Sequence, residues 1–392
     1  MSSTRNPDWN PRDPAVLDEP LAAFDRMRRE CPVAWSDYQH WSLFRHADVM
    51  RVLHEPETFS NAVSQHLSVP NGMDPPEHGH FRRIIEPYFS PDAMARFEPE
   101  CRRIARELVQ SLPENGTIDV IPAFAEDFAL RIQCAFMGWR EDLHESLRAW
   151  LHRNQQATLS GDREAMAQVA VDFDSTIRSL LAERRETEDQ APGDTTTALM
   201  NETVNGRALT DAELVSILRN WTVGEVGTIS ASVGIIMHAL ARDPELMMRL
   251  QAHPEELDAT IDELLRRDAP LMSNRRVTTC PVTLGGRRIE AGERLTILWA
   301  SANRDEAVFG DPDAISPDNN AGNNLLYGAG IHVCPGAPLA RLELRTLFEE
   351  LLYWRPGFRP ADSSEPCRAH YPAGGFASLA IEFVRPEVGI SG

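Results

Sequence analysis

The chain has 392 residues, an ordinary apolar content and a formal charge of −20. It is long enough to bury a large core, and its acidity excludes a nucleic-acid partner, because binding phosphates needs a basic face. The six cysteines are scattered without a CxxC pair, and the polar, proline-rich N-terminus has no apolar run of signal or anchor length, so a reducing, cytoplasmic setting away from membranes is expected.

Residues 1–20 read as an extended arm. A short helix is expected over 21–30, strands over 35–44 and a helix over 46–53. Residues 58–72 are polar and irregular, and a loop of that length is a candidate ligand lid. Pro75 and Pro76 open a helix on which His78 and Arg82, four apart, share a face. Taken alone they are a solvated pair. Helical segments continue to about residue 185. Arg102, Arg103 and Arg106 on one of them are either a solvated face or part of a docking surface. Residues 186–208 form a polar connector with one short helical turn. It is too short to mark a second domain, and there is no internal repeat, so 1–392 is read as one domain.

Thr210-Asp211-Ala212-Glu213 is a capping box. The helix it opens runs about 30 residues to Asp243-Pro244, on the order of 45–50 Å. Its centre is apolar nearly all round and should be buried. Gly224 and Gly227 lie in that centre, each costing roughly 1 kcal/mol against alanine. Close packing or a ligand lying on the helix would explain them. Glu263 and Arg266 form an ExxR pair, by itself a common exposed helix pair. Residues 282–298 read as a hairpin around Gly285-Gly286, with another turn at Ala291-Gly292. Residues 370–380 form a turn whose tip is expected at the substrate site.

The stretch from 325 to 343 reads LLYGAGIHVCPGAPLARLE. Most lone cysteines are small buried hydrophobes. Cys334, however, stands among Gly328, Gly330 and Gly336, just before a strongly amphipathic helix. A helix N-terminus beside the sulfur lowers its pKa and favours thiolate, and such a thiolate suits a soft metal, above all haem iron. The run Tyr327-Gly328-Ala329-Gly330-Ile331-His332-Val333-Cys334-Pro335-Gly336 resembles the haem-binding loop of the cytochromes P-450, with Tyr327 in place of their phenylalanine.

That resemblance extends from about residue 21 to the C-terminus and implies a mainly α fold with small β-sheets. Haem b (iron protoporphyrin IX) would lie between the long helix and the helix after the cysteine loop. It implies Cys334 as the iron ligand. Gly328 and Gly336 would shape the loop, and His78, Arg82, Arg276 and His332 would hold the propionates. Thr228 takes the oxygen-activating threonine position and Gly224 the small-residue position. Gly227 stands where the family has its acid, and Glu225 stands at a glycine position, three residues before Thr228. We expect Glu225 to replace the missing acid through water. Glu263 and Arg266 match the buried pair behind the haem. The arginine that usually joins them falls at Asn319. Val223, Gly224, Ile229, Leu271, Met272 and Phe376 are the expected pocket residues.

The implied activity is that of a monooxygenase, placing one atom of O2 into a small, mostly apolar organic molecule. Hydroxylation or O-dealkylation of an aromatic compound is the leading reading. Terpene or natural-product tailoring and peroxide-driven turnover are the alternatives. No dinucleotide motif is present, so electrons are expected from a separate ferredoxin or flavin/iron-sulfur reductase. Arg102, Arg103, Arg341 and Arg345 are candidate steering charges for that partner.

Overall fold

Helices dominate because the apolar spacing is helical over most of the chain. The computed structural model describes residues 5–160, 162–186, 193–355, 357–362 and 365–384. The capping box forms as expected, with the Thr210 side chain on the Glu213 amide and the Glu213 carboxylate on the Thr210 amide. From there the helix Asp211–Arg242 runs 32 residues through the largest apolar cluster. Among the described residues it is the one helix long and apolar enough to cross a membrane, and 67% of its most apolar window is buried inside the fold. The helices Pro91–Ser111, Glu126–Met137, Leu257–Asp268 and Ala337–Trp354 surround it and share that core.

The strands gather at one side. A five-stranded sheet orders Val33–Ser36, His40–Leu43, Arg294–Leu298, Ser273–Thr278 and Phe59–Ser60 as neighbours. Its role for the site is to carry the segment 271–276 to the cavity wall. The hairpin of Val282–Leu284 and Arg287–Ile289 turns on Gly285 and Gly286, both at positive φ, as a two-residue turn of this kind requires.

Three expectations need correction. The first twenty residues are not simply an arm. Pro14–Asp18 is helical, and Trp9 is buried edge-on against Phe24 and Phe44. The connector holds a second small hairpin, Thr203–Val204 with Arg207–Ala208, turning on Asn205-Gly206. That dipeptide is itself a strong hairpin signal. Finally, the 370–380 turn does not reach the large cavity. Gly374 packs so closely on the backbone of Ala269, and Gly375 on that of Ala231, that the turn is held on the scaffold beside it.

Candidate active site

The cysteine loop is shaped by two glycines and closed by one hydrogen bond. Gly328 and Gly330 sit at φ 73° and 69°, where a side chain is strained. A Cβ on Gly330 would also lie 2.2 Å from the Leu53 carbonyl oxygen. The Cys334 amide donates to the Tyr327 carbonyl at 2.8 Å, which turns the sulfur into a cavity of about 480 Å3. The Gly336 and Ala337 amides donate to that sulfur, but burial outweighs them and Arg82, and the thiol pKa is raised. The amides at the helix N-terminus thus favour the thiolate as expected, against the desolvation that opposes it.

The long helix lines the same cavity with Gly224, Glu225, Thr228, Ile229 and Ser232. Close packing explains neither mid-helix glycine, because a Cβ on Gly224 or Gly227 meets no protein atom within 4 Å. The Thr228 hydroxyl donates back to the Gly224 carbonyl at 2.8 Å and reaches the Glu225 carbonyl at 3.1 Å. The loop after Phe59–Ser60 supplies Asn61, His66 and Asn71 to the lining. It is fastened to the helix through Val69 to Ser216 and through Leu67 to Ser216 and Arg219.

The profile of the cytochrome P450 family matches residues 130–353. The chain belongs to the cytochrome P450 family.

Two relatives show how this P450 sits among bacterial ones. It is 28% identical to the linalool 8-monooxygenase of Pseudomonas putida, over 88% of this chain and 91% of that one. It is 31% identical to the erythromycin C-12 hydroxylase of Saccharopolyspora erythraea, over 86% and 88%. The structure of CYP109E1 from Bacillus megaterium in complex with corticosterone superposes with a TM-score of 0.83 at 26% identity, covering 93% of this chain and 98% of that one. The cofactor of this P450 is therefore haem b, and its co-substrate is dioxygen.

The residues around the cavity fit that cofactor. His332 lines it beside Arg276. The His78 and His332 rings lie 4.1 Å apart, and the buried Nε2 of each has no hydrogen-bond partner among the described residues. Burial, His78, Arg276 and Arg82 together push the His332 pKa down to about 3. Arg276 is buried, bonds only the Arg275 carbonyl among the described residues, and is held down to about 10 by burial. Arg82 already has Glu86 and the Val333 carbonyl. Unpaired donors and an unbalanced positive potential are what a pair of propionates would satisfy.

The expected pocket residues divide. Gly224, Ile229 and Leu271 line the cavity, whereas Val223, Met272 and Phe376 do not. Val223 is 43% exposed. Met272 turns into the cluster of Trp9, Phe24 and Phe44, and Phe376 lies tilted against His238 with ring centroids 4.6 Å apart. Asn61 and His66 come from the polar loop expected as a ligand lid, whereas Asn220 and Asn274 carry no spacing signal that would mark them as lining.

Glu263 and Arg266 form a fully buried bidentate pair at 2.8 and 2.9 Å. Its third partner is not at 319. Asn319 is exposed, and Asn320 donates to Glu263 at 2.6 Å, joined by the Ser316 amide at 3.0 Å. The candidate docking arginines are already engaged. Arg102 pairs with Glu98 and Glu349, Arg103 with Glu100 and Glu107, Arg341 with Asp262, and Arg345 with Glu98. This face is therefore mixed in charge rather than basic.

Proposed function

We propose that this P450 inserts one oxygen atom from O2 into a C–H bond of a small, largely apolar organic molecule, using electrons from a separate ferredoxin or flavin/iron-sulfur reductase in the cytoplasm. The observation that carries the reading is that Cys334 and Thr228 face one cavity, with Arg276 and His332 at its wall. When bound, the haem supplies the oxidising chemistry, and a thiolate ligand favours O–O cleavage. Cys334 would ligate the iron, with the Gly336 and Ala337 amides orienting its sulfur. Arg276, His78, His332 and Arg82 would hold the propionates, while Gly328, at positive φ, and Gly336, beside the sulfur, would let the loop approach the group.

On the other wall, Thr228 holds a proton at a hydroxyl that can turn from the Gly224 carbonyl toward the cavity. Glu225, one turn before it, stands in for the acid that Gly227 lacks. Thr228→Ala is expected to leave haem and ligand binding intact and divert reductant into peroxide. General-acid contributions predict a loss of product rate on the order of 10²-fold, read as product formed against reductant consumed. An unchanged ratio in Glu225→Gln would remove Glu225 from the mechanism. Arg276→Leu is expected to weaken haem retention about 10–100-fold, the loss of one charge-assisted bond, measured by haem transfer to an acceptor apoprotein.

Gly224, Ile229 and Leu271 provide the apolar walls, while Asn61, His66 and Asn274 give a few polar anchors. An aromatic compound undergoing hydroxylation or O-demethylation suits that lining. A second reading, hydroxylation of a terpene or other natural product, is supported by the compounds for which the linalool and erythromycin enzymes are named. The test is an optical titration of the ferric protein with both compound classes. Turnover with isotope-labelled O2 and a reductase pair should follow. Product formed with peroxide alone, and not with O2 and reductase, would reverse the assignment to a monooxygenase.

A further inference from the structure

The lid loop and the segment 271–276 meet at the edge of the cavity, because Phe59–Ser60 pairs with the strand Ser273–Thr278. There Ser64, His66, Leu271, Asn274 and Arg275 line the cavity and are exposed. Strand register adds a second cation. Across the antiparallel strands Arg294–Leu298 and Ser273–Thr278, Arg294 stands opposite Val277 and Thr296 opposite Arg275. Side chains two apart on a strand share a face, so Arg275 and Arg294 leave the same face of the sheet as diagonal neighbours. The Arg294 Nη2 also stands 3.5 Å from the carbonyl of Val63, a lining residue of the lid loop.

No carboxylate answers these two charges. Other arginines of this region are paired: Arg5 with Glu293, Arg287 with Asp8 and Arg288 with Glu290. Arg275 and Arg294 have no acidic partner among the described residues, although the chain carries a net charge of −20. Glu293, next in sequence to Arg294, is already held by Arg5 and the Trp41 indole. His40 lies beside Arg294, since Trp41 pairs with Leu295. Burial and the two arginines hold its pKa below the ordinary imidazole value, so it stays neutral at pH 7. Within the cavity, Glu225 on the long helix is the only carboxyl group of the lining among the described residues. Like charges this close on one sheet face are unfavourable by themselves, and an anion seated between them removes that cost.

We propose that the substrate is a monocarboxylate with an apolar body, its carboxylate held at the cavity edge by Arg275 and Arg294 while the apolar part passes Leu271 into the cavity. This names the substrate class for the function proposed above and rests on that reading. Arginine suits the task, because its planar fork meets a carboxylate through two parallel bonds. Leu271, 38% exposed at the same edge, gives the apolar part a surface to follow. The carboxylate is not itself changed. It fixes one end of the molecule, so oxidation is expected at the end remote from it.

The test is binding of 4-ethylbenzoate and decanoate to the holoenzyme, each beside its methyl ester. Calorimetry accompanies the optical titration, so that a ligand silent in the Soret band still counts. We expect at least one acid to bind more tightly than its ester, with the difference shrinking as salt screens the arginines. The preferred acid tells whether the apolar body is a ring or a chain. Arg275→Gln and Arg294→Gln should each weaken that acid by about 2–5-fold, the worth of one exposed ion pair, and leave ester binding and haem retention as they were. The double variant should abolish the preference. Acids that fail to bind, esters that bind as tightly, or a preference that survives the double variant would overturn the proposal. Variants that lose haem with an unmoved acid-to-ester ratio would also overturn it and assign the arginines to the propionates. An acid held in this way but not oxygenated with O2 and a reductase pair contradicts the monooxygenase reading and not the anchor. Neutral molecules oxygenated with no preference for acids sink the anchor alone.

Discussion

Cys334→Ser is expected to abolish monooxygenation while leaving a folded protein that still takes up haem. The loop geometry does not depend on the sulfur. It rests on Gly328, Gly330 and the backbone bond from Cys334 to Tyr327, all of which serine keeps. The propionate side, with Arg276, His78 and His332, is also untouched. The loss is electronic, because a hydroxyl donates far less electron density to iron than a thiolate. The check is the carbon-monoxide difference spectrum of the reduced protein. The wild type should give the thiolate-type band and Cys334→Ser should lose it, with product at background. A variant retaining that band would mean another residue ligates the iron.

The parts of this site that were legible in the sequence are those written in consecutive residues. The cysteine loop is a contiguous run. Its glycines, its aromatic and the amphipathic helix after it constrain one another, so the turn and the cavity-facing sulfur follow from local rules. The same holds for the capped long helix, where Gly224 and Thr228, four apart, must share a face. Val223 fails on the same arithmetic. Five residues at about 100° each place it well round the helix from Thr228, and it is exposed there. Met272 fails by strand geometry, since successive side chains point to opposite faces and Leu271 takes the cavity side. What the sequence could not carry is the meeting of residues far apart along the chain. Nothing local brings Ser316 and Asn320 to Glu263, or selects Asn320 over Asn319. Those contacts depend on how helices cross, which packing of the whole core decides.

Breaking the buried ion pair should give the largest loss of stability. Arg266 is 0% exposed and donates to Glu263 twice and to the carbonyls of Asn303, Pro312 and Ala314. Its guanidinium also lies 4.8 Å from the Phe309 ring centre. Arg266→Leu would strand a buried Glu263 charge, which typically costs about 3–5 kcal/mol. Arg266→Lys would keep the charge but not the planar fork, and should recover only part of that. The damage should reach the haem. Asn303, whose carbonyl Arg266 holds at 2.6 Å, accepts the Leu325 amide at 2.7 Å through its side chain and so anchors the start of the cysteine loop. Haem loss at a temperature below global unfolding is therefore expected, followed by Soret absorbance beside far-ultraviolet dichroism. The pH dependence has a definite sign. Burial would raise the Glu263 pKa, but Arg266, the Ser316 amide and Asn320 outweigh it and hold it below the ordinary value. The pair's contribution is thus present at neutral pH and is lost as pH falls through that lowered pKa. Arg266→Leu should consequently differ most from wild type at neutral pH, and the gap in urea midpoint should narrow in acid. A gap that widened in acid would mean that Glu263 is not the group stabilised by Arg266.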